Sequence, residues 1–208
     1  MLKRLFFTLI VRPFVLLVFG IHVQGQENIP TQPCILVANH NSHLDTMVLM
    51  SLFPLRTIHR IRPVAAVDYF MIHPFVRWFS THIIGIIPLQ RKVEKSHAHP
   101  LDGIKNALLN GNSVIIFPEG SRGEAEQMCK FKTGIAHLAH MVPHIPIIPI
   151  RLGGAGKVLP KGEALLVPFI IDITIAPSVH RGEDEGTQEF TQRLENIIKG
   201  MGIHCSLE

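Results

Sequence analysis

Short, β-rich apolar runs alternate along the chain with longer stretches typical of helices. The predicted strands are Cys34–Ala38, Pro63–Val67, Gly85–Leu89, Ser113–Phe117, Ile145–Leu152 and Ala164–Ile175. The predicted helices are Leu44–Phe53, Tyr69–His82, Pro100–Asn110, Gly134–Met141 and Thr187–Lys199. This alternation is typical of α/β proteins. Because the strands are almost continuously apolar, we expect a largely parallel central sheet covered by helices on both faces.

Two further apolar runs, Leu5–Val11 and Phe14–Gly20, lie on either side of Arg12-Pro13. Each is far shorter than the roughly 20 residues that span a bilayer, and an arginine in mid-span would cost about 2.5–3.5 kcal/mol. The pattern favours a helix that lies on a membrane surface, with its basic side chains at the head groups. The alternative is a buried core helix, kinked at the proline.

Composition limits the number of domains and the class of protein. The 208 residues are 47% hydrophobic and 17% charged, which excludes intrinsic disorder and allows one sizeable core. Three scattered cysteines are too few for a disulfide framework or a structural zinc site, so we expect a reducing compartment. We therefore divide the chain into a membrane-associating segment, residues 1–26, and one domain, residues 27–208.

Basic residues are concentrated in the more apolar half of the chain. Residues 1–92 hold nine Lys and Arg against three acidic residues, whereas the remainder holds 11 basic and 13 acidic residues. A basic and apolar half suits an anionic membrane surface. Nucleic acid is a poorer match, because neither an arginine-rich run with interleaved aromatics nor zinc-finger spacing is present. The alternative is that these charges form an ordinary solvated face.

The first candidate for chemistry follows the predicted strand Cys34–Ala38, where α/β folds bind ligands. His40 and Asp45 are five residues apart, so they can meet only if His40 lies in the loop and Asp45 in the first turn of the next helix. A carboxylate on one imidazole nitrogen would leave the other as a base. Alternatively, Ser42 and Asp45 form a capping box and His40 is structural. A metal site with His43 is disfavoured, because no matching ligand set accompanies it.

Two later segments also follow strands or precede helices and carry cations. Phe117–Gly123 has two glycines, which allow a ligand to approach the backbone, and the Arg122 guanidinium suits a phosphate. Ser121 lacks the Gly-x-Ser-x-Gly context of a serine nucleophile, because Glu119 replaces the first glycine. Lys130–Gly134 sets two lysines around a phenylalanine. The alternatives are a plain strand-to-helix turn and solvated basic residues.

The order of these segments resembles the glycerophospholipid acyltransferase family, which includes the 1-acyl-glycerol-3-phosphate acyltransferases. The resemblance spans roughly residues 34–152. The matching blocks are Asn39–Asp45, similar to the HX4D motif, Gly85–Arg91, Phe117–Gly120, Lys130–Gly134 and Ile147–Pro149. Two positions depart from the family pattern, since Ser121 stands where Thr is common and His43 where a bulkier aromatic is frequent. Both bear on acceptor preference rather than on the chemistry.

The resemblance implies roles for nine residues. His40 would be the general base and Asp45 would orient it, while a larger set would bind the acceptor and its phosphate. That set is Arg91, Glu119, Gly120, Ser121, Arg122, Lys130 and Lys132. The resemblance implies no metal and no cofactor, because the acyl donor, acyl-CoA or acyl carrier protein, is a co-substrate.

The implied activity is acyl transfer from a thioester to the free hydroxyl of a lysophospholipid, with 1-acyl-sn-glycerol-3-phosphate giving phosphatidic acid. Another lysolipid acceptor, such as lyso-ornithine lipid, and a catalytically silent lipid-binding protein are the alternatives. A hydrolase acting on the thioester is a third. The expected location is the cytoplasmic face of the cell membrane, with peripheral or monotopic attachment and no nucleic-acid partner.

Overall fold

The computed structural model describes residues 1–42, 44–67, 73–90, 99–120, 128–154 and 170–202. The strands are β1 (Gly20–Gln24), β2 (Ile35–Ala38), β3 (Ile61–Ala66), β4 (Ile87–Leu89), β5 (Ser113–Ile116), β6 (Ile147–Gly153) and β7 (Ile170–Ile175). The α-helices are α1 (Leu2–Phe6), α2 (Arg12–Val18), α3 (Asp45–Ser51), α4 (Pro74–Trp78), α5 (Asp102–Leu109), α6 (Gly134–Met141) and α7 (Thr187–Gly200). Short 3₁₀ turns occupy Gln26–Asn28 and Ile58–Arg60.

Two of the helices are extended by π-helical segments. Phe7–Val11 joins α1 to α2, and we call this continuous stretch the N-terminal helix. Phe79–Ile84 continues α4 as far as Gly85, and we call α4 with this segment the crossover helix. The crossover helix connects β3 to its parallel neighbour β4.

The seven strands form one sheet in the order β1-β7-β6-β2-β5-β3-β4. The described pairs are parallel except β6 with β7, so the predicted α/β fold with a largely parallel sheet is confirmed. Parallel strands end at the same edge of a sheet. The segments that follow β2, β3 and β5 therefore leave the sheet side by side, and this edge is where ligands bind in such folds.

The sequence pattern did not predict strand β1. This strand pairs in parallel with β7, with Gly20 opposite Ile170. Only Ile21 and Val23 turn toward the core, and both stay half-buried. A short edge strand with two inward side chains gives a weak alternating signal, and the apolar run that precedes it overlaps its first residue.

Helices cover both faces of the sheet and bury two apolar clusters. The N-terminal helix, α3 and the crossover helix pack on one face, whereas α5, α6 and α7 pack on the other. Along β2 the side chains alternate between the two, with Leu36 in the first cluster and Ile35 and Val37 in the second. Strand β2 is therefore buried on both sides, as its continuous apolar sequence requires.

The N-terminal helix presents apolar side chains both inward and outward. Phe7, Val11 and Val15 recur every fourth residue and are buried in the first cluster, whereas Leu5 and Leu9 point to the outside. The inner face of this helix thus matches the alternative of a buried core helix. The π-helical segment lies where Pro13, which has no N–H, interrupts the hydrogen bonds of the helix. Among the described residues, no helix combines the length and the apolar character needed to cross a bilayer.

Lys3 is a buried cation at the start of this helix. Its Nζ donates a hydrogen bond to the carbonyl of Ile61 at the start of β3. Gly85, at the end of the crossover helix, lies against the same ammonium group. Burial, and to a lesser degree the charge of Arg62, lower the pKa of Lys3 to about 7.

The substitution Lys3→Met should remove a pH-dependent part of the stability. Between pH 7 and the ordinary lysine value of 10.5, the unfolded chain binds more protons than the folded one. The free energy of unfolding of the wild type should therefore rise with pH across this interval, by at most about 1.4 kcal/mol per pH unit. Denaturant titrations at a series of pH values measure this slope, which should be shallower in the variant. Equal slopes would contradict a buried ammonium at position 3.

Candidate active site

A histidine–carboxylate pair lies at the edge of the sheet where β2 ends. His40 is in the loop after β2, and Asp45 is the first residue of α3. The Nδ1 atom of His40 lies 2.9 Å from Oδ2 of Asp45. The Asp45 side chain is completely buried, whereas 19% of the His40 side chain is exposed. The contact expected from the five-residue spacing is therefore present.

The same Asp45 oxygen also holds the loop that carries the histidine. Oδ2 accepts hydrogen bonds from the backbone N–H groups of Asn41, at 2.7 Å, and Ser42, at 2.8 Å. The Ser42 hydroxyl in turn accepts from the N–H of Leu44. Only half of the expected capping box is therefore formed, because the N–H of Asp45 donates to the backbone carbonyl of Ser42 and not to its hydroxyl. The Asp45 carboxylate contacts His40 and the loop backbone instead of capping α3 through a serine.

The imidazole of His40 is held on its face as well as at its edge. The Phe117 ring, just after β5, stacks on it with a centroid distance of 4.2 Å and an interplanar angle of 21°. An Nδ1–H directed at Asp45 leaves Nε2 with a lone pair in the neutral ring. Such an imidazole can accept a proton at Nε2 while the neighbouring carboxylate stabilises the resulting positive charge.

Two asparagines fasten the loop to the neighbouring strand β6, and the sequence did not single them out. The Asn39 amide accepts from the N–H of Leu152 at 2.7 Å and donates to its carbonyl at 2.9 Å. Asn41 donates to the same carbonyl at 3.2 Å. An amide is the side chain that can both donate to and accept from one backbone position, and this gives the Asn-His-Asn pattern a structural reason.

Glu119 lies between the two loops of the site and binds both through the backbone. Its Oε1 accepts from the N–H of His40 at 2.8 Å, and its Oε2 accepts from the N–H of Cys129 at 2.7 Å. The residue is almost fully buried, and this burial raises the pKa of its carboxyl group. Its contacts are those of a positioning residue, and the expected contact with an acceptor stays a prediction.

Gly120 and Lys132 come together next to Glu119. Gly120 has a left-handed φ of +72°, and a Cβ at this position would lie 2.6 Å from the Nζ of Lys132. The backbone N–H of Lys132 donates to the carbonyl of Pro118 at 2.9 Å. The left-handed backbone conformation therefore favours glycine at this position, and the end of the Lys132 side chain lies directly over it.

The two lysines expected to bind the acceptor lie in different surroundings. Phe131, which stands between them, is buried in the core. Next to the exposed Lys130, the backbone N–H of Phe131 donates to Oε2 of Glu195 in α7 at 2.9 Å. Only Lys132 is brought to the Gly120 turn. Arg91, Ser121, Arg122 and His43 lie outside the described residues.

Comparisons with known proteins agree on one family. A family model described as "Acyltransferase" matches residues 20–153. The chain is 33% identical over 178 residues to a 1-acyl-sn-glycerol-3-phosphate acyltransferase of Pseudomonas aeruginosa, which covers 83% of this chain and 65% of the relative. It is 33% identical over 143 residues to a chloroplastic enzyme of the same name from Brassica napus, with 68% of this chain and 39% of the relative covered. The chain thus spans less than two thirds of the length of these relatives.

A solved structure extends the likeness to the fold. The 1-acyl-sn-glycerophosphate acyltransferase of Thermotoga maritima superposes with a TM-score of 0.73 and 23% sequence identity. The match covers 95% of this chain and 75% of the other.

The substitution Glu119→Gln should destabilise the protein although it preserves the size of the side chain. A glutamine offers one acceptor and one donor, so its NH₂ group would face one of the two backbone N–H groups. Leaving that buried donor unpaired should cost about 1–3 kcal/mol. Denaturant unfolding measures the difference, and Glu183→Gln, at an exposed carboxylate, is the matched control. Equal losses in the two variants would refute the clamp between His40 and Cys129.

Proposed function

The chain belongs to the acyltransferase family, and on that basis we propose that it moves a fatty acyl group from a thioester to a lysophospholipid hydroxyl. The proposed acceptor is 1-acyl-sn-glycerol-3-phosphate, and the product is then phosphatidic acid. The names of the relatives support this choice. The observation that carries the proposal is the 2.9 Å contact between His40 and Asp45.

His40 acts in this proposal as the general base. Its Nε2 removes the proton of the acceptor hydroxyl as the hydroxyl oxygen attacks the thioester carbonyl, and Asp45 stabilises the imidazolium. When the tetrahedral intermediate collapses, the carbon–sulfur bond breaks and the sulfur takes the proton from His40. A thiol with a pKa of about 8.5 is a good leaving group. The reaction therefore needs no covalent enzyme intermediate.

The developing oxyanion would be held by backbone N–H groups in the turn 118–123. Pro118 has no N–H, and the N–H of Gly120 donates to the carbonyl of Phe117 at 3.0 Å. The proposal therefore rests on Glu119 and on residues 121–123, which lie outside the described residues. One such donor is worth about 2.7–4 kcal/mol in other enzymes.

Cations around this turn would bind the acceptor's phosphate. Lys132 is the described candidate, because its ammonium group lies against Gly120. Arg91, Arg122 and Lys130 remain candidates on sequence alone. The donor would be acyl-CoA or acyl carrier protein, which share the same thioester.

The proposed place of action is a membrane surface on the cytoplasmic side, reached by peripheral attachment. The exposed apolar side chains of the N-terminal helix, among them Leu5, Leu9 and Leu17, support this attachment. Exposed Arg4 on the same helix would meet anionic head groups. A lysolipid would enter from the membrane while the soluble thioester would come from the water side.

The substitution His40→Ala should lower the rate of thiol release from palmitoyl-CoA by about 10²–10⁴-fold, because it removes the base. The assay follows free thiol in the presence of 1-acyl-sn-glycerol-3-phosphate, and mass spectrometry of a lysolipid panel identifies the product. His137→Ala, at an exposed histidine of α6, is the control and should keep its activity. A variant at position 40 that keeps full activity would exclude this base. Thiol release that does not respond to any lysolipid would indicate a hydrolase instead.

The substitution Lys132→Ala should raise the KM for the acceptor about tenfold or more and leave the KM for the donor nearly unchanged. The reason is the loss of a charged contact with phosphate, worth about 1.5–3 kcal/mol. Steady-state kinetics with each substrate varied in turn measures both constants, with Lys105→Ala, at a lysine of α5, as the matched control. If Lys132→Ala raised mainly the donor KM, this lysine would belong to the donor site.

A further inference from the structure

Exposed apolar side chains are concentrated on one layer of the molecule. Among the described residues, ten of the twelve large hydrophobic side chains that are exposed lie in residues 1–17 or in α4. The other two are Leu109 and Ile170. Scattered single residues of this kind are normal, but a contiguous apolar patch marks an interaction surface.

The first residues of the crossover helix carry exposed aromatic side chains, which we call its aromatic end and which do not pack in the core. Phe75 is 72% exposed, Trp78 is 46% exposed, and Val76 is also exposed. All three belong to α4, the first turn and a half of the crossover helix. Farther along the same helix, Ile83 and Ile84 are buried and hold it on the sheet.

This aromatic end is continuous with the N-terminal helix. The Phe6 ring meets Phe79 edge to face with a centroid distance of 5.2 Å. Phe79 stacks on Phe75 at 6.4 Å, and Phe75 lies 6.3 Å from Trp78. The buried ammonium of Lys3 against the end of the crossover helix joins the two helices at a second place. The two outer faces therefore form one patch.

The patch also reaches the catalytic edge of the sheet. Because β3 and β4 are parallel neighbours, the connection between them must return from the edge where β3 ends. β3 runs parallel to β5, and β5 to β2. The beginning of the crossover helix therefore lies on the same edge as His40, which follows β2.

The charges of the two helices select one kind of partner. Residues 1–26 and 73–90 contain basic residues and not one Asp or Glu. Arg4 and Arg77 are exposed beside the apolar side chains. Tryptophan favours the boundary between apolar chains and head groups, and each basic residue near an anionic leaflet adds about 1 kcal/mol of attraction.

We propose that Phe75, Val76 and Trp78 insert into the interface of an anionic phospholipid membrane beside the N-terminal helix. This inference extends the proposed peripheral attachment to a second element of the fold. Two helices on one layer define a plane, which a single helix cannot do. The second contact therefore fixes how the catalytic edge faces the lipid.

The chain contains a single tryptophan, Trp78, so its fluorescence reports this site alone. Wild-type protein is mixed with vesicles of phosphatidylcholine, with or without phosphatidylglycerol, and binding is followed in parallel by co-sedimentation. We expect emission to shift to shorter wavelength on phosphatidylglycerol vesicles, and brominated lipids to quench it. Phe75→Ser should bind these vesicles about tenfold more weakly. Leu109→Ser, at a residue 54% exposed on α5 across the sheet, should bind like the wild type.

Three results would overturn the inference. In the first, the protein co-sediments with the vesicles but Trp78 keeps its emission in buffer. In the second, no binding to anionic vesicles occurs. In the third, the emission shifts with protein concentration in the absence of lipid, which would mean that a second copy of the chain covers the patch. Acylation of a detergent-dispersed acceptor is measured separately, so an active protein with an unshifted spectrum would leave the proposed function standing.

Discussion

The Oδ2 atom of Asp45 accepts hydrogen bonds from the His40 ring and from two backbone N–H groups, inside a region closed to water. Each of these donors would be left unpaired if the carboxylate were lost, and buried unpaired donors are costly. The oxygen therefore fixes the start of α3, the path of the loop and the orientation of the imidazole together. The geometry required for proton transfer thus follows from the three hydrogen bonds that this one oxygen accepts, while the other carboxylate oxygen, Oδ1, is buried without a hydrogen-bond partner among the described residues.

Glu119, like Asp45, is a buried carboxylate that accepts hydrogen bonds from backbone N–H groups, but it joins loops that are distant in sequence. Its two oxygens join the backbone at His40 to the backbone at Cys129, while Phe117 packs on the imidazole from the strand before it. The two loops can meet because β2 and β5 are parallel neighbours and end at the same edge. The sheet thus brings the two loops close together, and the hydrogen bonds of the buried Glu119 carboxylate fix their relative position.

The sequence predicted the features that depend on neighbouring residues better than the contacts between residues far apart in the chain. The strands and helices of the core were foreseeable because their apolar runs are almost continuous and alternate in type. The His40–Asp45 contact was foreseeable because only one local geometry joins residues five apart. The bonds of Glu119 were not foreseeable, since they depend on sheet order, and neither was the divergence of Lys130 from Lys132 around the buried Phe131. Strand β1 was not predicted because its alternating pattern is weak, and its described partner, β7, lies about 150 residues away in the sequence.

That separation has a consequence for the order of assembly. Strand β1 cannot pair with β7 until the chain has been synthesised as far as Ile170, about 150 residues after Gly20. This edge of the sheet therefore forms late. Until then β1, which directly follows the N-terminal helix, has no strand to pair with, although the helix itself can already pack on α3 and the crossover helix. During synthesis the backbone N–H and C=O groups of β1 therefore stay open to solvent longer than those of the inner strands.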